Sequence, residues 1–307
     1  MKNGFPLMSD SERSKLLEPP CGRVSVVLDT DTYNEIDDQY AVVYSLFSKE
    51  KLDIEAIYAA PFHNSRSEGP ADGMEKSYEE ILRLLEKMDI APEGLVFRGS
   101  ECYLPESGEP VGSPAAEDLV DRAKKERDGP LYVAAIGAIT NIASAILMDP
   151  SIISRIVVLW LGGHPYNHNT AEEFNLKQDI AASRLIFDCG VPLVHFPCRS
   201  VAEMLRTTRA EMEAHVKGLG AVGDYIYNIF CDYVPDEPGV SKVIWDLAPV
   251  AWLVDPAVAQ TSLVTSPVLN DGLTWSANDQ RHFVRVATRI ERDRVFGDFF
   301  RKIDLAK

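Results

Sequence analysis

Val24-Ser25-Val26-Val27-Leu28-Asp29-Thr30-Asp31-Thr32-Tyr33-Asn34-Glu35-Ile36-Asp37-Asp38 runs from an apolar segment straight into a group of carboxylates. Val24 to Leu28 are few in number, carry three β-branched valines and are bounded by polar turn residues, so they read as a buried strand. After Asp38, residues Ala41, Val42, Leu46 and Phe47 recur at helical spacing. Asp29, Asp31, Asp37 and Asp38 therefore crowd the carboxyl end of a strand and the first turn of a helix, where open α/β sheets bind their ligands. Carboxylates this close repel one another and would destabilise the fold unless a cation lay between them. Calcium and magnesium prefer such oxygen ligands, and calcium accepts irregular mixtures of carboxylate, carbonyl and hydroxyl oxygens. A helix N-terminus favours the charge of Asp37 and Asp38 by ~0.3–1 kcal/mol. Capping explains one or two acids, however, and not Asp29 and Asp31 as well.

Outward from this stretch, strand-like and helical runs alternate. Strands are expected at Ile54 to Ala60, Leu131 to Ile136, Ile156 to Leu161 and Pro192 to Phe196, and helices at Gly73 to Met88, about Asn141 to Met148 and Ala181 to Asp188. That pattern predicts an α/β fold with an open, mostly parallel central sheet and helices on both faces. Val201 to Pro235 turns mainly helical and reads as a helical cap near the carboxyl edge. A helix from Trp245 to Leu253, a β-rich stretch from Thr261 to Ala287 and a terminal helix from Glu291 follow. Residues 23–307 are expected to form a single domain, and residues 1–22 an N-terminal extension.

Composition narrows the function. A chain of 307 residues with 46% hydrophobic content buries a large core. Its formal net charge of −16 argues against nucleic-acid and anionic-membrane partners. The five cysteines are scattered and form no CxxC pair, which points to reduced thiols in a cytoplasmic protein. The polar N-terminus has no apolar signal core, and no 18-residue apolar run occurs anywhere.

Further polar residues follow the other strands: Phe62-His63-Asn64-Ser65-Arg66, Ile136-Gly137-Ala138-Ile139-Thr140-Asn141, Gly162-Gly163-His164, then Asn167, Glu172-Glu173-Phe174-Asn175 and Trp245-Asp246. Carboxylates and amides converging on a metal suit a polyhydroxylated ligand, because each sugar hydroxyl both donates and accepts. Four motifs in order resemble the calcium-dependent, inosine-uridine preferring nucleoside hydrolases: Asp29-Thr30-Asp31 with Asp37-Asp38, Ile136 to Ala143, Glu173-Phe174-Asn175, and Asp246 opening a late helix. The likeness runs from about Arg23 to the end of the chain.

This resemblance implies hydrolysis of the N-glycosidic bond of a nucleoside to free base and ribose. It implies a calcium ion held by Asp31, both side-chain oxygens of Asp38, the Ile136 carbonyl and Asp246, with Asp31 as general base for a calcium-bound water. Asp37 would accept from the 2′-hydroxyl, Asn175 would meet the 3′ side, Glu173 and Asn167 the 5′-hydroxyl, and Asn64 the ribose. Relatives are commonly dimers or tetramers, so a homo-oligomer is expected.

The chain departs from the family pattern in two places. Where many members carry a histidine before the last metal aspartate, this chain has Trp245, which cannot protonate a leaving base but can stack on a purine; this points to purine nucleosides and salvage. Tyr225, Tyr227, Tyr233, His63, His164 and His168 are alternative acids. Five residues separate Asp31 from Asp37, against three in better-known members, and the longer turn would push Asn34 or Glu35 into the pocket. Arg66 would meet an anionic substrate group or form a surface ion pair. Two alternatives remain: a calcium-dependent nucleoside- or sugar-binding protein without turnover, and a haloacid-dehalogenase-type phosphatase with Asp29 as nucleophile. The phosphatase reading leaves Glu173-Phe174-Asn175 and Trp245-Asp246 without a role.

Overall fold

The computed structural model describes residues 4–306. Its elements run α1 (Asp10–Leu16), β1 (Val24–Thr30), α2 (Asp38–Phe47), β2 (Leu52–Ala59), α3 (Pro70–Lys87), β3 (Val96–Arg98), α4 (Pro114–Lys124), β4 (Leu131–Ala135), α5 (Thr140–Met148), β5 (Ile156–Leu161), α6 (Phe174–Gln178), α7 (Ile180–Asp188) and β6 (Leu193–Phe196). A short ribbon of β7 (Arg206–Thr207) and β8 (Lys242–Val243) brackets α8 (Arg209–His215) and α9 (Gly220–Tyr233). Then come α10 (Leu247–Val254), β9 (Ala259–Thr265), the pair β10 (Val268–Leu269) and β11 (Trp275–Ser276), β12 (Phe283–Ile290) and α11 (Arg292–Leu305).

Eight strands form one sheet in the order β3-β2-β1-β4-β5-β6-β12-β9, parallel throughout except for the β12–β9 edge pair. The central strands are apolar on both faces because both faces are covered. Val26, Leu28, Ala134, Val157 and Leu159 pack with α2, α3, α10 and α11 on one side; Val27, Val133, Val158 and Trp160 pack with α4, α5 and α7 on the other. Each fully buried valine or leucine of this kind contributes ~1.5–3 kcal/mol. Strand order reverses at β1: the chain moves outward through β2 and β3 on one side and through β4, β5 and β6 on the other. A crevice opens beyond the carboxyl ends of β1 and β4 at such a reversal, and the acidic stretch emerges there.

The expected α/β architecture is the one observed, and α8 and α9 supply the helical cap. α9 is tied down by Tyr40, whose hydroxyl donates to the Ile226 carbonyl at 2.9 Å, and by Tyr225, whose hydroxyl donates to buried Glu80 at 2.6 Å. Several elements exceed the sequence expectation. Ser9 and Glu12 form a reciprocal capping box that starts α1, and buried Arg13 donates to the Gly190 carbonyl at 2.6 Å. The late helix begins at Leu247 rather than Trp245, because Asp246 takes the N-cap position.

Candidate active site

The site starts from a buried anchor beneath it. Asp29 is fully buried on β1, and its Oδ1 accepts from Asn141 Nδ2 at 2.7 Å across to α5. The same amide nitrogen donates to the Ala59 carbonyl at 3.2 Å, while Asn141 Oδ1 accepts from the Ser100 amide at 2.8 Å and its hydroxyl at 2.9 Å. One asparagine thus ties β1, β2 and the turn after β3 together. Burial pushes Asp29 up to about 7 against the pull of that hydrogen bond. Asp29 does not line the cavity above it, so its place is that of a support and not of a phosphatase nucleophile.

Two residues on, just past the end of β1, Asp31 is fully buried, and neither carboxylate oxygen accepts a hydrogen bond from another residue. Gly137, after β4, makes room for it: a Cβ there would lie 3.0 Å from Asp31 Oδ1 and 3.2 Å from Ala60 Cβ. Carboxylate oxygens of Asp37, Asp38 and Asp246 lie within 4.8 Å of one another, all buried. Asp31 is outside that trio but feels it. Burial first, then the Asp38 and Asp37 charges, hold its carboxyl well above the usual carboxylate range. Burial and Asp37 push Asp38 up to about 8, although Thr30 Oγ1 donates to its Oδ1 at 2.5 Å. Asp246 is raised by burial and then by Asp37, Asp38 and Asp31.

Buried acids that raise one another in this way, two of their oxygens without a partner, form a donor set that fits a hard divalent cation. Asp37 is not acting as a helix cap. It occupies the N-cap position of α2 without a side-chain capping bond, and its Oδ2 accepts instead from the Trp245 backbone N–H at 3.2 Å.

Above the acids lies a cavity of about 430 Å³, within the range of small-molecule sites. Of the residues expected to meet metal or substrate, Asp31, Asn34, Asp37, Asp38, Ile136, Glu173, Asn175, Trp245 and Asp246 all line it. Asn175 spends its Nδ2 hydrogens on the Ile136 and Leu161 carbonyls, each at 3.0 Å. Glu173 caps α6, its oxygens accepting from the amides of Gly163 (2.8 Å), Asn175 (3.1 Å) and Leu176 (3.2 Å). Two residues stand apart. Asn64 lies outside the wall and donates through Nδ2 to Asn34 Oδ1 at 2.7 Å, and Asn167 is exposed in its turn. Among the alternative acids only His164 lines the cavity; burial first, then Arg199, lowers its pKa.

The longer turn is pinned from both sides. Arg66 donates to the Glu35 carbonyl at 2.8 Å and stacks 4.3 Å from the centre of the Tyr33 ring, so it serves the turn rather than an anionic ligand or a surface ion pair. Glu35 reaches across to Lys242 on β8, its Oε2 accepting from Nζ at 2.6 Å. Lys242, Arg199, Glu203 and Cys198 belong to this region and were not singled out as site residues in the sequence. Their signal was weak, since none sits in a motif with other polar residues at catalytic spacing.

Residues 26–297 match the family model described as inosine-uridine preferring nucleoside hydrolase. A pyrimidine-specific ribonucleoside hydrolase from Salmonella dublin is 27% identical over 269 residues, covering 77% of this chain and 81% of that protein. Among solved structures, an inosine-guanosine nucleoside hydrolase superposes with a TM-score of 0.72 at 17% identity, over 92% of this chain and 99% of its own. A purine-preferring ribonucleoside hydrolase from Gardnerella vaginalis gives 0.69 at 19%, over 92% and 98%. At these identities the structural likenesses speak for the fold.

Proposed function

The chain belongs to the inosine-uridine preferring nucleoside hydrolase family and hydrolyses the N-glycosidic bond of nucleosides, and from that premise we propose that it works with calcium, with Asp31 as general base and purine ribonucleosides as preferred substrates. The observation that carries this reading is the meeting of Asp37, Asp38 and Asp246 within 4.8 Å beside an Asp31 carboxylate that no other residue engages. Asp31, Asp38, the Ile136 carbonyl and Asp246 would hold the cation. The Ile136 oxygen keeps one lone pair for it after accepting from Asn175. When bound, the cation supplies a grip on the 2′- and 3′-hydroxyls and a lowered pKa for the attacking water.

The remaining steps belong to the chain's own residues. Asp31 takes the water's proton, and direct attack on the anomeric carbon inverts it. Asp37 accepts from the 2′-hydroxyl. Asn175 has spent its N–H groups, so it offers its amide oxygen to the 3′ side. Glu173 accepts three backbone N–H bonds and a weak one from the Cys198 thiol, which a 5′-hydroxyl would displace. Asn64 acts on the sugar through Asn34, and Asn167, exposed in its turn, would meet the 5′-hydroxyl beside Glu173. Carboxylate and amide oxygens around the ring stabilise oxocarbenium charge more than they stabilise the substrate. Trp245 stacks on the base, and His164 is the one candidate acid on the cavity wall.

The pyrimidine-specific name of the Salmonella relative favours a second substrate reading, uridine or cytidine. We also place the protein in the cytoplasm as a homo-oligomer, dimer or tetramer, with residues 23–307 as its single domain. Its five cysteines are free, and among the described residues no helix is long and apolar enough to cross a membrane. Release of ribose from inosine, adenosine, guanosine, uridine and cytidine tests the proposal, before and after chelation and with calcium restored. Purine turnover that disappears with the chelator and returns with calcium is expected. Full activity after chelation would remove the cation from the reading, and faster pyrimidine turnover would remove the purine preference.

A further inference from the structure

Among the described residues, Lys242 alone forms an ion pair with a member of the acid cluster. Its Nζ lies 3.6 Å from Asp37 Oδ1, 2.6 Å from Glu35 Oε2 and 2.9 Å from the Val243 carbonyl oxygen, to which it donates. The side chain is 12% exposed and passes 5.8 Å from the centre of the Tyr233 ring. An ammonium this deep has given up most of its hydration, and only facing carboxylates make that tolerable. One of those carboxylates, Glu35, comes from the turn that is longer than the family's usual one, so the lysine and the longer turn act together. The other carboxylate, Asp37, is held at its second oxygen by the Trp245 N–H. A mechanical clamp and an electrostatic counter-charge would both use this geometry, and they predict opposite effects on cation binding.

We propose that Lys242 is a resident counter-charge for the acid cluster, competing with the divalent cation for the field of Asp37 and so setting the site's cation affinity, while Glu35 absorbs part of its charge. This inference rests on the cation site of the proposed function. Four buried aspartates without a cation repel one another, and Lys242 supplies one positive charge whether or not the cation is present. The arriving cation then meets a less negative site and a like charge one carboxylate away. At an effective dielectric of ~40 and a separation within ~8 Å, that opposition is worth about tenfold or more in Kd. Loss of a clamp would loosen the turn and weaken binding, whereas loss of a counter-charge strengthens it.

Calcium is titrated calorimetrically, without nucleoside, into chelator-treated full-length parent, Lys242→Met, Lys242→Arg and Glu35→Gln proteins. Lys242→Met is expected to bind calcium about tenfold more tightly and Lys242→Arg within about threefold of the parent; Glu35→Gln should bind about tenfold more weakly, because the ammonium then faces Asp37 unshared. Weaker or unchanged binding by folded Lys242→Met overturns the proposal in favour of a clamp. If Lys242→Met fails to fold, Lys242→Gln titrated in the same way decides, since it removes the charge but can still donate to Glu35; weaker or unchanged binding there overturns it. A parent that binds no divalent cation overturns the proposed cation site along with this inference. A parent that binds with the variants in the wrong order overturns this inference alone.

Discussion

Replacing Asp38 by asparagine should make the protein more stable in chelator and less stable in calcium. Asp38 is 1% exposed, and burial with the Asp37 charge pushes its carboxyl up to about 8 from an ordinary value of 3.8. An acid with a raised folded-state value binds more protons when folded than when unfolded. Its contribution to stability is therefore intact below pH 3.8 and is lost progressively as the pH climbs toward 8. Without a cation, that loss amounts to under ~1 kcal/mol at pH 4 and on the order of 4 kcal/mol at pH 7. Asparagine cannot ionise and can still accept from Thr30 Oγ1 through its own Oδ1. Asp38→Asn should accordingly gain ~4 kcal/mol over the parent at pH 7 in chelator, with the gain shrinking to under ~1 kcal/mol at pH 4. In saturating calcium the order reverses, since the variant forfeits binding energy that the parent collects only when folded. Urea unfolding followed by tryptophan fluorescence at several pH values, with chelator and with calcium, measures these differences. A variant less stable than the parent in chelator at pH 7, or a difference that does not grow between pH 4 and 7, would refute the reasoning.

Asp31→Ala should lower kcat by ~10²–10⁴ and weaken calcium binding in the same protein; turnover near the parent's, measured by ribose release, would remove Asp31 as the base. Trp245→Ala should cut kcat/KM for inosine by about tenfold and for uridine by less; equal losses would separate Trp245 from base recognition. Asn141→Leu strands Asp29 Oδ1, the Ala59 carbonyl and the Ser100 N–H in the interior. At ~1–3 kcal/mol for each stranded group, urea unfolding should show a loss of ~3–9 kcal/mol. A loss under ~1 kcal/mol would mean that other groups or water take over those bonds.

The parts of this molecule that could be read from its sequence are those where one local pattern has one physical solution. β1 and α2 were legible because an apolar run ending in acids has few places to go, and β4 and β5 because they are apolar on both faces. β3, three residues long, carries too few side chains to show a period. α1 hides in a polar segment whose start is signalled only by the Ser9–Glu12 reciprocal cap. Within the site, Asp29, Asp31, Asp37 and Asp38 stood out because spacing grouped them, whereas Asp246 was reached only through the family likeness. Asn64 reads as a ligand by position, yet its amide is turned to Asn34, a partner created by the longer turn. Lys242 stayed hidden for a related reason. Its significance lies in Glu35 and Asp37, more than 200 residues earlier in the chain, and only the pairing of β7 with β8 brings it to them.

The hydrogen bond from the Trp245 N–H to Asp37 joins residues 208 positions apart, and Asp246 enters the acid cluster from the same late segment. During synthesis the aspartates of β1 and α2 leave the ribosome long before the residues that complete their surroundings. A nascent or truncated chain that stops short of position 246 carries the repulsion without the partners that offset it. On the proposed reading, cation loading would wait for Asp246 to arrive, and a chelator added during refolding should delay the final docking of α10 more than the pairing of β1 with β2.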